Sequence, residues 1–177
     1  MDAAIHFGLP HWPGAELEFL MGETVVPACS PGLLAQHGFA QPQDLLRAPL
    51  LHLASRADAW QRWMARHDLV LGEVQGMVLD QFATAAQAAM AGVGVALLPR
   101  FLIARELQQG DLVPALPHLP DMESAERYYL AWPAHRADHP PLQALRAWLK
   151  KAAQDFMQGR EGAQAGSTKD AGPGLSA

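Results

Sequence analysis

Residues 72–99 constrain the fold more than any other stretch of this chain. Gly72-Glu73-Val74-Gln75-Gly76-Met77-Val78-Leu79 reads as a strand. Asp80 can then cap a helix in which Phe82, Ala85, Ala86, Ala89 and Met90 share one face at helical spacing. Gly92 is placed to end that helix in a left-handed conformation. Val93-Gly94-Val95-Ala96-Leu97-Leu98 follows as a buried strand, stopped by Pro99. The order strand–helix–strand is a βαβ unit, so the sheet is expected to be mixed or parallel, with helices packed on it.

The flanking sequence supplies further elements of the same kind. Ala3-Ala4-Ile5 looks like a short buried strand, followed by a breaker-rich loop from Gly8 to Gly14. A buried parallel strand needs neighbours and nothing upstream provides one, so a lost front end is the expectation. Leu17 to Ala28 is strand-like throughout. Ser30 and Pro31 open a short helix over Gly32 to Gln36, as N-cap and first helical residue. Gln41 to Leu46 resembles a helical turn, and Pro49-Leu50-Leu51-His52-Leu53 a short apolar strand. Ser55 and Asp58 stand at capping-box spacing before a helix expected from Arg56 to about His67. Arg100 to Gln108 reads as a helix ended by Gly110, Leu112-Val113 as a short strand, and Tyr128 to Trp132 as a strand closed by Pro133. Ala134 to Pro141 reads as a polar loop. Leu142, Leu145, Leu149, Ala152, Ala153 and Phe156 then define a last amphipathic helix. Residues 158–177 are rich in Gly, Ala, Ser and charge and are expected to be a disordered tail.

Composition narrows the functional classes. With 13 basic against 18 acidic residues, a net charge of -5 and no basic run, the chain lacks the footprint of a nucleic-acid grip. A single cysteine, Cys29, excludes an intrachain disulfide and a Cys-rich zinc site. The start lacks the basic and apolar segments of a signal peptide, and no run has the length and hydropathy of a membrane span. A cytoplasmic protein with no membrane contact is the expectation.

Catalytic constellations do not emerge. His135 and His139 have a zinc-like spacing but sit in a Pro-rich loop without a Cys pair. Around Ser30 and Cys29 the glycine positions of a nucleophile elbow are not met, so Ser30 is better explained as a cap. Gly92-Val93-Gly94 follows a helix and opens a strand, the reverse of a dinucleotide-binding turn. Glu16 and Glu18 read as a solvated pair, and His52 as a core or cleft-edge histidine. The expectation is no enzyme, no cofactor and no metal. What remains is two helix N-termini, at Ser55-Arg56 and Asp80-Gln81, each following a strand. Such carboxyl-end loops of an α/β sheet are where ligands bind. Arg56 would add a fork for a carboxylate, and Trp60 and Phe82 would add apolar walls. Ordinary capping with core aromatics explains the same spacing equally well.

The segments His11-Trp12-Pro13-Gly14, Val25-Val26-Pro27-Ala28-Cys29-Ser30-Pro31, Leu51-His52-Leu53, Ala59-Trp60 with Trp63, and Ala88-Ala89-Met90-Ala91-Gly92-Val93-Gly94-Val95-Ala96-Leu97-Leu98-Pro99 resemble, in order, the effector-binding domain of LysR-type transcriptional regulators. They look closest to the glycine-cleavage-activator branch, over Asp2 to about Phe156. The resemblance implies an α/β, two-lobed, periplasmic-binding-protein-like (type II) sensor with one lobe incomplete. On that pattern residues 1–27 and 131–157 form the first lobe and 28–130 the second. A small molecule, such as an amino acid or small carboxylate, would sit in the interlobe cleft. Its contacts would be Phe7, Gly8, Ser55, Arg56, Trp60, Gln81 and Phe82. The family's winged helix-turn-helix is not matched here, so DNA is expected only through a domain absent from this chain. Homodimers that pair sensors side by side are implied as well. The rival readings are a free-standing solute-binding protein of the same fold and an enzyme on that fold.

Overall fold

A computed structural model describes residues 2–70, 72 and 76–167. The chain divides into two compact units, one made of Met1–Gly22 with Ala125–Ala177 and the other of Glu23–Ser124.

In the larger unit the strands are β3 (Thr24–Cys29), β4 (Leu50–Leu53), β5 (Gly76–Leu79), β6 (Val95–Pro99), β7 (Val113–Pro114) and β8 (Met122–Glu123). They form a mixed sheet in the order β5-β4-β6-β3-β7, with β8 also on β3. Strand β4 is parallel to both β5 and β6, whereas β3 runs antiparallel to β6. The expected βαβ unit is therefore present. Residues 73–75 of its first strand lie outside the described residues.

Alternate residues of these strands face opposite layers, as a period of two requires. Val25, Leu50, Val95 and Leu97 join a core with Leu33 of α1 (Pro31–His37) and Trp60, Trp63 and Met64 of α2 (Ala59–Ala65). Val26, Leu51, Ala96 and Leu98 join another with Ala85 and Ala89 of α3 (Phe82–Met90). Ile103 and Leu107, at the cap and first turns of α4 (Ala104–Gln109), complete that second layer.

Local chemistry explains most boundaries. Ser30 caps α1 as expected, its hydroxyl accepting from the Leu33 N–H at 3.2 Å. Gly92 has φ +75°, the left-handed position that ends α3. Two residues on, a side chain at Gly94 would place its Cβ 2.3 Å from the Pro49 carbonyl oxygen. The Gly-Val-Gly spacing thus serves a helix stop followed by a close strand approach.

The smaller unit is a three-stranded antiparallel sheet, β1 (Ala4–Gly8), β9 (Arg127–Pro133) and β2 (Ala15–Met21), in the order β1-β9-β2. Here three expectations are corrected. Strand β1 has a neighbour, but it comes from far along the chain, and Ile5 is 62% exposed rather than buried. The single strand expected over Leu17 to Ala28 breaks at Gly22-Glu23, and its halves belong to different sheets. The last helix, α5 (Pro140–Ser167), continues through 158–167, which the sequence marked as disordered. Gln158, Arg160, Glu161 and Ala163 favour the extension, but Gly159, Gly162 and Gly166 each oppose it by about 1 kcal/mol, which is why the sequence pattern pointed away from a helix here. Residues 168–177 of the expected tail lie outside the described residues.

Glu16 is exposed, as expected of a solvated residue, whereas Glu18 is half-buried. They stand opposite β9 in the register Glu16↔Trp132 and Glu18↔Leu130. The Trp132 indole donates to Glu16 at 3.1 Å, and Glu18 accepts from Arg146 Nε at 2.9 Å and Lys150 Nζ at 3.2 Å. Burial alone would raise the Glu18 carboxyl, but hydrogen bonds and charge from Arg146 and Lys150 outweigh it and hold it below its ordinary value of 4.5. A depressed carboxyl stabilises the fold above its unfolded pKa and loses that contribution as pH falls through the folded one. Thermal melts below pH 4.5 should therefore fall more steeply for the native chain than for Glu18→Gln; parallel curves would mean that the pairing contributes nothing.

Candidate functional site

The carboxyl ends of the parallel strands β4 and β5 bring together three groups from distant parts of the chain. After β4 a 3-10 turn, Ala54–Arg56, carries Arg56. Its side chain makes a two-pronged ion pair with Glu23, Nη1 to Oε1 and Nη2 to Oε2, the latter at 3.0 Å. The guanidinium carbon lies 4.5 Å from the ring centroid of Phe82, the first residue of α3. The two charged side chains are 8% and 0% exposed, so the pair is desolvated.

A buried ion pair of this kind is a weak source of net stability, because desolvating both groups offsets their attraction. Its geometry is nevertheless specific. A planar fork matched to a carboxylate fixes the guanidinium, and a fixed guanidinium over an aromatic face is a cation–π contact. The charge of Arg56 is balanced by Glu23, so the group presents shape and N–H directions rather than net positive charge.

The sequence-predicted residues fall into distinct places. Arg56 and Phe82 meet as described. Ser55 and Gln81 are exposed, Ser55 one residue before Arg56 and Gln81 one before Phe82. Gln81 is the N-cap of α3 in place of Asp80, without a side-chain cap bond. The Ser55–Asp58 capping box does not form. Helix α2 begins at Ala59, Asp58 makes no cap bond, and its carboxylate lies 3.3 Å from Arg62 instead.

Trp60 corrects a further expectation. It is 1% exposed, its indole N–H donates to the Leu51 carbonyl at 3.0 Å, and its ring meets Trp63 edge-on at 5.8 Å. A residue so placed is a core aromatic, because its one polar atom is satisfied inside and its body packs on Trp63 and Met64. Phe7 and Gly8 lie on β1 of the smaller unit, where the Phe7 ring meets Tyr128 at 4.7 Å, tilted by 48°, and Gly8 is buried. Glu23 was not singled out from the sequence. A lone Glu between Gly22 and Thr24 carries no pattern, and its partner is 33 residues away.

The other groups considered as nucleophiles or ligands have structural surroundings. Cys29 is fully buried, and burial pushes its thiol up to about 11. Such a thiol is protonated at neutral pH and a poor nucleophile. His52 is 4% exposed within β4, and His135 and His139 are exposed. Among the described residues no helix is long and apolar enough to cross a membrane.

Comparison with known proteins gives consistent matches. The family profile described as "LysR substrate binding domain" matches residues 1–154. The glycine cleavage system transcriptional activator homolog of Haemophilus influenzae is 35% identical over 153 residues, which cover 84% of this chain and 49% of that protein. The glycine cleavage system transcriptional activator of Escherichia coli K12 is 35% identical over 158 residues, covering 88% and 51%. The chain thus spans about half the length of the curated relatives it matches. Among solved structures, the effector domain of the transcriptional regulator AmpR of Pseudomonas aeruginosa superposes with a TM-score of 0.75 at 31% identity, covering 90% of this chain and 75% of that one. The AmpR effector binding domain of Citrobacter freundii gives 0.75 at 27% identity, covering 88% and 76%.

Proposed function

The chain belongs to the LysR substrate-binding domain family and has the α/β, type II periplasmic-binding-like fold of its effector-binding domains, and from that premise we propose that it senses a small molecule on behalf of a transcriptional regulator. The observation that carries the placement of the ligand is the Arg56–Glu23 pair, forked, desolvated and laid over Phe82 at the carboxyl ends of parallel strands. Ser55 and Gln81 flank it and supply exposed polar groups. Phe7 and Gly8, on β1 of the smaller unit (Met1–Gly22 with Ala125–Ala177), are ligand contacts proposed from the family resemblance alone. Trp60 is not carried forward as a contact.

Because Glu23 balances Arg56, a zwitterionic amino acid fits this group better than a simple anion. The pair carries no net charge and Glu23 is fully buried, so a ligand without net charge of its own leaves the compensated pair undisturbed. Sensing then acts by population shift: a ligand that binds one arrangement of the domain better biases a coupled DNA-binding dimer. No catalytic step is part of this reading. Homodimerisation through the effector domain, DNA contact through a separate domain, and a cytoplasmic setting follow from the same proposal.

A panel of amino acids and small carboxylates, followed by thermal shift, tests the site. A true ligand at about 100 times its Kd should stabilise the native chain by about 2.7 kcal/mol. The exposed substitutions Ser55→Ala and Gln81→Ala should fold normally and reduce that shift. Equal stabilisation of all three proteins would remove the site from this position. A panel in which carboxylates bind and amino acids do not would remove the zwitterion.

A further inference from the structure

The smaller sheet ends in two unlike edges. Strand β2 carries Glu16 and Glu18 and a register shift between Phe19 and Met21. Charge and a bulge are how a sheet edge is kept from pairing with a further strand. Strand β1 has neither. From Ala4 to Gly8 it carries no carboxylate, lysine, arginine or proline, and its register with β9 is regular over all 5 residues. Among the described residues β9 is its only partner strand, so its outer N–H and C=O groups are laid out for one more.

The face above this edge is uncovered as well. Ile5 is opposite Leu130, and residues opposed in an antiparallel pair share a face. Leu130 packs with Leu142 of α5, so Ile5 belongs to the α5 layer, yet it is 62% exposed. A helix is about 10 Å across and strands lie about 4.8 Å apart, so one helix covers about two strands. Helix α5 uses that width on β2 and β9. Arg146 and Lys150 reach Glu18 of β2, and Arg146 lies over the Trp132 ring of β9. Leu145, Trp148 and Ala152 stand at helical spacing on the opposite flank, which overhangs β1, and Trp148 is 65% exposed.

Ile5 below and Leu145 and Trp148 beside it thus form an apolar step at an open strand edge. We propose that this step is a docking surface for a separate segment made of a β-strand joined to an amphipathic helix. The strand pairs with β1, and the helix lays its apolar face on Ile5, Leu145 and Trp148. The AmpR effector domains are long enough to hold such elements, since this chain covers 75% and 76% of them. A second copy of this chain fits the step less well. Its α5 is already seated on its own sheet, so pairing β1 with β1 would leave the face over both strands open. The surface does not depend on the Arg56–Glu23 group, which lies in the larger unit.

The probe is the quarter of the Pseudomonas aeruginosa AmpR effector domain that this chain does not cover. It is produced as a free polypeptide and, in parallel, tethered to the N-terminus by a flexible linker that holds it at about millimolar effective concentration. A one-to-one complex by light scattering is expected, with slower amide exchange over Ala4–Gly8 and a higher melting temperature. Ile5→Lys and Trp148→Glu each put a charge on the step and should weaken the complex about tenfold or more. Both positions are exposed, so the free variants should melt with the native chain. Three results overturn the proposal. One is no added protection of β1 in the tethered protein, and another is a complex that survives both substitutions. The third is a native chain that is dimeric alone and made monomeric by Ile5→Lys, which would put a second copy on the step. Ser55→Ala and Gln81→Ala should leave the complex unaltered, which separates failure here from failure at the ligand site.

Discussion

Arg56→Ala is expected to destabilise the larger unit by about 3–5 kcal/mol, because it strands the Glu23 carboxylate in a place with no solvent to receive it. The cost is the penalty for an uncompensated buried charge rather than the worth of the pair itself. It follows that replacing both partners should be milder than replacing one. The double variant Glu23→Leu with Arg56→Met keeps comparable volume without either charge and should recover most of the loss. Urea denaturation of the three proteins measures this directly. A single variant within about 1 kcal/mol of native would mean that water reaches Glu23 or that another cation takes over. The experiment also bears on function, since a ligand that exploits this pair needs it intact in the resting state.

Trp60→Ala should cost a similar amount, about 3–5 kcal/mol, by a different route. The substitution opens a cavity beside Trp63 and Met64 and leaves the Leu51 carbonyl without its indole donor. Effector affinity should nevertheless be unchanged once the unfolded fraction is corrected for. Calorimetric denaturation paired with a binding isotherm gives both quantities. Reduced affinity at native stability would return Trp60 to the role of a ligand wall.

These two residues mark where sequence reading succeeds and stops. The βαβ unit was legible because its signals are local: an alanine-rich helical face, a glycine that stops the helix, an apolar run closed by Pro99. The Ser30 cap was legible for the same reason, being complete within four residues. Trp60 was ambiguous because helical spacing states that a residue faces something, not whether that something is core or ligand. The break at Gly22-Glu23 was invisible because the strand-like pattern runs on across it, and only pairing partners distinguish β2 from β3. Glu23 was missed on the same principle. It is a single charged residue whose meaning comes from burial, and burial is decided by contacts far away in sequence. The unexpected neighbour of β1 belongs here too, since β9 lies more than a hundred residues downstream.

The pairing of β8 with β3 has a consequence for how the larger unit could be handled. Its first and last residues are joined by a backbone hydrogen bond, Ser124 N–H to the Glu23 carbonyl at 2.9 Å, and Thr24 and Glu123 are directly opposed. The unit is thus a closed insertion with a single neck, continuous in sequence from Glu23 to Ser124. Its ends are near enough to be ligated into a ring, and new termini could be opened elsewhere, for example beside Val70, which is 91% exposed. A cyclically permuted gene would then encode the same sheet from a different starting residue. The order of strands along the chain is an accident of where the neck sits, whereas their order across the sheet is what the packing requires.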